Sequence, residues 1–253
     1  MHNLFITQYF DWRRPEPSAK LKLINRFLAK LGIRLSPLWV TNVEQRMNMF
    51  HLLSQVLVYG VPGAIVELGC HAGQSAVLMQ KVIQSYDPTR ELHLYDSFEG
   101  LPALSRADQG TSENFKQGSL KTTRERLDEN FRRYDLPLPT VHAGWFHETL
   151  PTELPDKIAF AHLDSDLYDS ITISLKQTYP RLSKGAICLI DDYCDPAVHN
   201  GWNELPGVKR ACDEFLADRL ERVSVLYAGE FSHGFFRKGC EENPVGRAPP
   251  AYR

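Results

Sequence analysis

The feature that most narrows the fold is a rhythm beginning at residue 64. Short β-branched or apolar runs recur at AIVELG (64–69), LHLYD (92–96), TVHAG (140–144), IAFAHLD (158–164), AICLIDD (186–192), RVSVLYA (222–228) and HGFFRK (233–238). They read as seven strands. The first six are separated by segments long enough for helices, such as GQSAVLMQKVIQSY, TTRERLDENFRRY, SITISLKQTYPRL and GVKRACDEFLADRL. The strands are therefore expected to be mostly parallel and covered on both faces. Only GEFS joins the last two, which makes a hairpin and an antiparallel final strand. The fold class expected is α/β, an open Rossmann-like sheet.

Upstream of this rhythm, residues 1–40 stand apart as a basic extension, with Arg13, Arg14, Lys20, Lys22, Arg26, Lys30 and Arg34 against Asp11 and Glu16. Leu21, Ile24, Phe27, Leu28 and Leu31 fall on one helical face between Ser18, a candidate N-cap, and Gly32, a candidate stop. An anionic membrane surface could take such a helix. Packing on the core or on a second subunit is the preferred expectation, and with it a homo-oligomer formed through the N-terminal helices. A second helix is expected from a capping box of Thr41 and Glu44 to about Tyr59, opening the main domain of residues 41–253.

Composition removes several classes of function. With 253 residues, 43% of them hydrophobic, the chain can bury a large core. A net charge of -2 argues against a nucleic-acid binder. Five cysteines without C-x-x-C spacing sit in or beside apolar runs, as free thiols do in a reducing compartment. There is neither a secretory leader pattern nor an uncharged apolar run of spanning length, so a soluble, cytoplasmic protein is expected.

In an open parallel sheet the ligand lies at the carboxyl ends of the strands. The first strand ends in VELGCHAGQS, where Gly69 and Gly73 permit a tight turn and a helix opens near Gln74 with free amides. The spacing is E-x-G-x-x-x-G, not the dinucleotide G-x-G-x-x-G, and Glu67 would repel a pyrophosphate while suiting a cationic or zwitterionic ligand. That spacing argues against a dehydrogenase. At the second strand end, Asp96 can accept from both hydroxyls of a ribose or else cap the next helix. The third strand end offers Gly144 for close approach and Trp145 or Phe146 as a flat wall for a purine, although each aromatic could equally be core. After the second strand, ALSRADQGTSENFKQGS (103–119) is polar, contains Gly110 and Gly118, and has no period. A mobile lid over the acceptor is expected there.

The fourth and fifth strand ends, HLDSDLYD and IDDYC, bring Asp164, Asp191 and Asp192 to one edge. A helix cap and a backbone contact would occupy one or two of these acids. Three together need a cation, and hard oxygen ligands without thiolate or clustered imidazole select Mg2+, with Mn2+ or Ca2+ as alternatives.

The motifs VELGCHAGQS, YDSFEGLP, AGWFHETLP, LDSDLYDS, YPRLSKGA and IDDY resemble the macrocin O-methyltransferase (TylF-type) family over about residues 41–238. The paired LDSDLYDS and IDDY are the most specific part. The resemblance implies a class I methyltransferase sheet of order 3-2-1-4-5-7-6 and an S-adenosylmethionine-dependent O-methyltransferase acting on a hydroxylated small molecule, most typically a sugar of a natural product. It implies cofactor contacts from Glu67, Gly69, His71, Gly73, Ser75, Asp96, Ser97, Phe98, Gly144, Trp145 and Asp164. Asp164, Asp191 and Asp192 take the Mg2+ positions, and Asp166 takes the place of a general base, with Asp164 beside it at the reacting centre. Two alternatives are a catechol or phenol O-methyltransferase and a non-catalytic S-adenosylmethionine-binding partner. Nucleic-acid N-methyltransferases would place D/N-P-P-Y after the fourth strand, where this chain has DSDLY.

Overall fold

The computed structural model describes residues 42–198, 203–229 and 231–239. Its strands are β1 (Ala64–Leu68), β2 (Leu92–Asp96), β3 (Thr140–Ala143), β4 (Ile158–Leu163), β5 (Leu182–Ile190), β6 (Ser224–Ala228) and β7 (Phe231–Arg237). They form one sheet of order β3-β2-β1-β4-β5-β7-β6. β1 to β5 pair in parallel, and β7 runs antiparallel to both β5 and β6. This is the class I order implied by the resemblance, with the hairpin where GEFS requires it. β1 and β4 are buried from end to end, which explains why each reads as an unbroken apolar run.

The helices are α1 (Val43–Val58), α2 (Gln74–Tyr86), α3 (Arg124–Arg133), α4 (Phe146–Glu153), α5 (Tyr168–Thr178) and α6 (Pro206–Leu216). α1 packs on α2 and α2 on α3, while α4 packs on α5 and α5 on α6. Two helical layers thus cover the sheet. None of the described helices is long and apolar enough to cross a membrane, and Cys70, Cys188, Cys194 and Cys212 are buried free thiols.

Three local expectations need correction. The capping box of α1 is Asn42 with Gln45: Asn42 Oδ1 accepts from Gln45 N at 2.8 Å and Gln45 Oε1 accepts from Asn42 N at 2.9 Å. Thr41 lies outside the described residues. Asn serves as well as Thr in a cap, and its amide adds a bond to the Ala228 carbonyl at 2.6 Å that ties the helix start to β6. Secondly, β5 begins at Leu182, because Leu182 already pairs with Ile158 although Ser183, Lys184 and Gly185 look like a turn. Thirdly, α4 is absent from the expected helices; it is short and contains Pro151. The basic extension and its helix lie outside the described residues.

The stretch expected to be a lid carries a 3-10 turn at Arg106–Asp108. It is fastened at its base by Leu101 N to Ser119 O (2.8 Å) and at its middle by Ser112 N to Glu204 O (3.0 Å).

Candidate active site

The turn after β1 is shaped by a close approach of backbones. Gly69 has φ +93°, and a Cβ there would lie 1.8 Å from the Asp164 carbonyl oxygen, so only glycine fits. Gly73, at φ +77°, starts α2. Between them, His71 N donates to Asp96 Oδ2 at 2.7 Å, and Phe98 N donates to Oδ1 at 2.7 Å. Asp96 begins no helix. A carboxylate has about four lone-pair sites, so each oxygen is aimed by one backbone bond and keeps a site for a ligand.

A cavity of about 630 Å³ opens over these strand ends. Gly69, His71, Ser75, Asp96, Ser97, Gly144, Trp145 and Asp164 line it. Glu67, Gly73 and Phe98 are not among its lining residues. Phe98 is packed in the core and only its amide serves Asp96. Glu67 is wholly buried; its register partner on β4 is His162, whose Nδ1 donates to Glu67 Oε1 at 2.8 Å. Burial works against a charge on His162, but the Glu67 bond and the nearby Glu67 and Asp191 charges outweigh it and hold the imidazole above its ordinary value.

The acids gather as expected at the ends of β4 and β5, with one displacement. Asp166 and Asp192 occupy left-handed backbone, at φ +59° and +55°, a conformation costing on the order of 1 kcal/mol or more for a non-glycine residue. One carboxylate oxygen from each of Asp164, Asp166 and Asp192 lies within 4.8 Å of the others. Burial first, and then the neighbouring carboxylates, push Asp164 and Asp192 well above the usual carboxylate range and Asp166 up to about 7. Half-buried carboxylates that resist ionisation when alone fit a hard divalent cation, which would remove the repulsion.

Asp191 stands beside this cluster with Oδ1 already engaged. His233 Nε2 lies 2.9 Å away, Gln45 Nε2 donates at 3.2 Å and Asp192 N donates at 3.1 Å. Burial alone would raise its pKa; the His233 charge and hydrogen bonding reverse that and bring it to about 2. The sequence pointed to Asp164, Asp191 and Asp192 as one set. The structure adds Asp166 to the first and last of these and turns one oxygen of Asp191 towards β7, because Ile190 pairs with Gly234 and the next residues along, Asp191 and His233, then meet.

Residues 37–219 match the model of the macrocin-O-methyltransferase (TylF) family. The chain belongs to this family. This macrocin-O-methyltransferase family member is 36% identical over 196 residues, 73% of each chain, to the 8-demethyl-8-(2,3-dimethoxy-alpha-L-rhamnosyl)-tetracenomycin-C 4'-O-methyltransferase of Streptomyces olivaceus. It is 32% identical over 189 residues to mycinamicin III 3''-O-methyltransferase of Micromonospora griseorubida, covering 71% of this chain and 74% of that one. The solved structure of the O-methyltransferase NovP matches it with a TM-score of 0.69 at 27% identity, over 81% of this chain and 84% of that chain. The protein is an O-methyltransferase.

Sequence reasoning missed Gln45, His162 and His233, all within the sheet or on the helix that covers it. Only strand alternation, which puts His162 on the face of Glu67, could have signalled one of them. It also missed part of the cavity wall, where Leu101, Ile173 and Phe231 line the cavity together with Phe115 from the stretch expected to cover the acceptor.

Proposed function

We propose that this O-methyltransferase carries the methyl group of S-adenosylmethionine to a hydroxyl of a small-molecule acceptor, a sugar of a natural-product glycoside, with Mg2+ as its metal. The observation that carries the reading is the meeting, in one cavity, of Asp96, with both oxygens pre-aimed, and of Asp164, Asp166 and Asp192 within 4.8 Å of one another. Relatives whose names specify methylation of sugar positions favour a sugar acceptor.

The residues divide the work. Asp96 takes the ribose hydroxyls, Trp145 flanks the adenine, and the turn from Gly69 to Gly73 lets the methionine part approach backbone amides at the start of α2. Asp164 and Asp192, with the uncommitted oxygen of Asp191, would hold Mg2+. When bound, that ion would stabilise the acceptor alkoxide by direct charge. Asp166, beside those ligands, is placed to accept the hydroxyl proton. Holding donor and acceptor in line within one cavity supplies further rate by orientation.

The test is to incubate the protein with S-adenosylmethionine, Mg2+ and two acceptor panels, deoxysugar glycosides and catechols, and to read the products by mass. Methylated glycosides, lost with EDTA and regained with Mg2+, are the expected result. Methylation of catechols alone would replace the sugar by a phenol, and full turnover in EDTA would remove the metal.

A further inference from the structure

We propose that Asp108 is a positioning residue, clamping the acceptor-side wall of the cavity to the turn that carries Asp164 and Asp166; the proposal rests on the functional reading above. Asp108 lies in the stretch expected to be a mobile lid, but no role was assigned to its side chain from the sequence. It is 3% exposed, although it belongs to a polar surface connection. Its two oxygens face different partners. Oδ1 accepts from Tyr168 N at 2.7 Å, and Oδ2 accepts from Ser105 N at 2.9 Å and Ser105 Oγ at 2.8 Å.

Tyr168 is the first residue of α5, and the residue before it, Leu167, offers no side-chain cap. A local Ser, Thr or Asp would satisfy that helix start by itself. Here the cap comes from 60 residues away, so the amide two positions beyond Asp166 is bonded to the connection that supplies Leu101, Ala103 and Phe115 to the cavity wall. α6 completes the seat. Arg210 donates to the Ala107 carbonyl, and Gly207 leaves room that a Cβ, 2.5 Å from Asp108 Oδ1, would fill. The clamp therefore fixes two walls relative to each other, and it holds Asp166 in its left-handed turn without touching substrate or cofactor.

The experiment compares Asp108→Ala and Asp108→Asn with the parent protein, using Mn2+ affinity by electron paramagnetic resonance, S-adenosylhomocysteine affinity by calorimetry, and hydrogen exchange. In Asp108→Ala the turn loosens. Mn2+ affinity should fall about tenfold, the low end for losing a group that orients metal ligands. Affinity for S-adenosylhomocysteine should stay within about twofold, because its partners lie on β1 to β3. Amides of residues 101–119 and 164–171 should exchange faster together, with β1 still protected. Asp108→Asn keeps an acceptor for Tyr168 N but turns a donor towards Ser105 N, so it should recover part of both properties. Equal loss of Mn2+ and S-adenosylhomocysteine affinity, or exchange that rises in one segment alone, overturns the proposal. If the parent protein binds no Mn2+, the metal reading fails separately, and joint or independent exchange of the two segments decides the clamp. Should Asp108→Ala not fold, Ser105→Ala must show the same joint exchange at smaller amplitude; exchange like that of the parent overturns the clamp.

Discussion

His233 Nε2 lies 2.9 Å from Asp191 Oδ1, and both side chains are buried. The charge and the hydrogen bond of His233 are what hold the Asp191 carboxylate low against burial. Removing one member of such a pair strands the other in the interior. His233→Ala should therefore cost about 3 kcal/mol of stability in urea denaturation, and saturating Mg2+ should return part of that loss by supplying another positive charge. A loss below about 1 kcal/mol would mean that Gln45 and the Asp192 amide satisfy Asp191 by themselves.

Asp96→Ala should weaken S-adenosylhomocysteine binding by roughly one to two orders of magnitude, from two charge-assisted bonds to the ribose. Calorimetry measures it directly. An unchanged dissociation constant would confine Asp96 to holding the amides of His71 and Phe98.

The acid cluster sets a pH dependence whose sign follows from its raised carboxylates. Without a cation, native Asp166 keeps its proton up to about 7, whereas the unfolded chain releases it near 4. The native state then binds more protons, so the cation-free protein should lose stability as pH rises from about 4 to about 7. Cation binding expels those protons. Mn2+ affinity should climb as pH rises, because the raised carboxylates of Asp164 and Asp192 must lose their protons to bind it, with proton release visible as a buffer-dependent binding enthalpy. Affinity independent of pH would place the cation elsewhere.

Gly69→Ala and Gly118→Ala separate two kinds of strain. Both positions have positive φ, +93° and +79°, but a Cβ at Gly118 meets nothing within 4 Å, whereas one at Gly69 overlaps the Asp164 carbonyl. Gly118→Ala should cost about 1 kcal/mol. Gly69→Ala should cost several times that, or fail to fold, because β1 and β4 must part. Equal melting temperatures for the two variants would contradict the close approach.

The strands were legible because buried parallel strands announce themselves as apolar runs, whereas their order came from the family resemblance; the strand ends then locate Asp96, Asp164 and Asp192. Less legible was what each end faces. Glu67 also meets His162 on the neighbouring strand, and Asp191 also meets His233 and Gln45, brought to it by β7 and α1. Apart from the strand alternation that sets the face of His162, those contacts depend on register between strands remote in sequence and on the helix above them, which the sequence does not display. α4 was hidden by Pro151, and Asp108 by a connection whose polarity resembles that of any solvated loop.

The cavity wall is assembled from separate sources. Gly69, Asp96 and Gly144 come from the ends of β1 to β3, while Leu101, Phe115, Ile173 and Phe231 come from a connection, a helix face and the start of β7. On the proposed reading, one half of the molecule is a fixed handle for the methyl donor and the other a replaceable mould for the acceptor. Grafting residues 109–120 from a relative, with Asp108 and its clamp kept, is then a route to a new acceptor that leaves the donor half intact, and a lineage of such enzymes can diversify its products by changing loops while inheriting its chemistry unaltered.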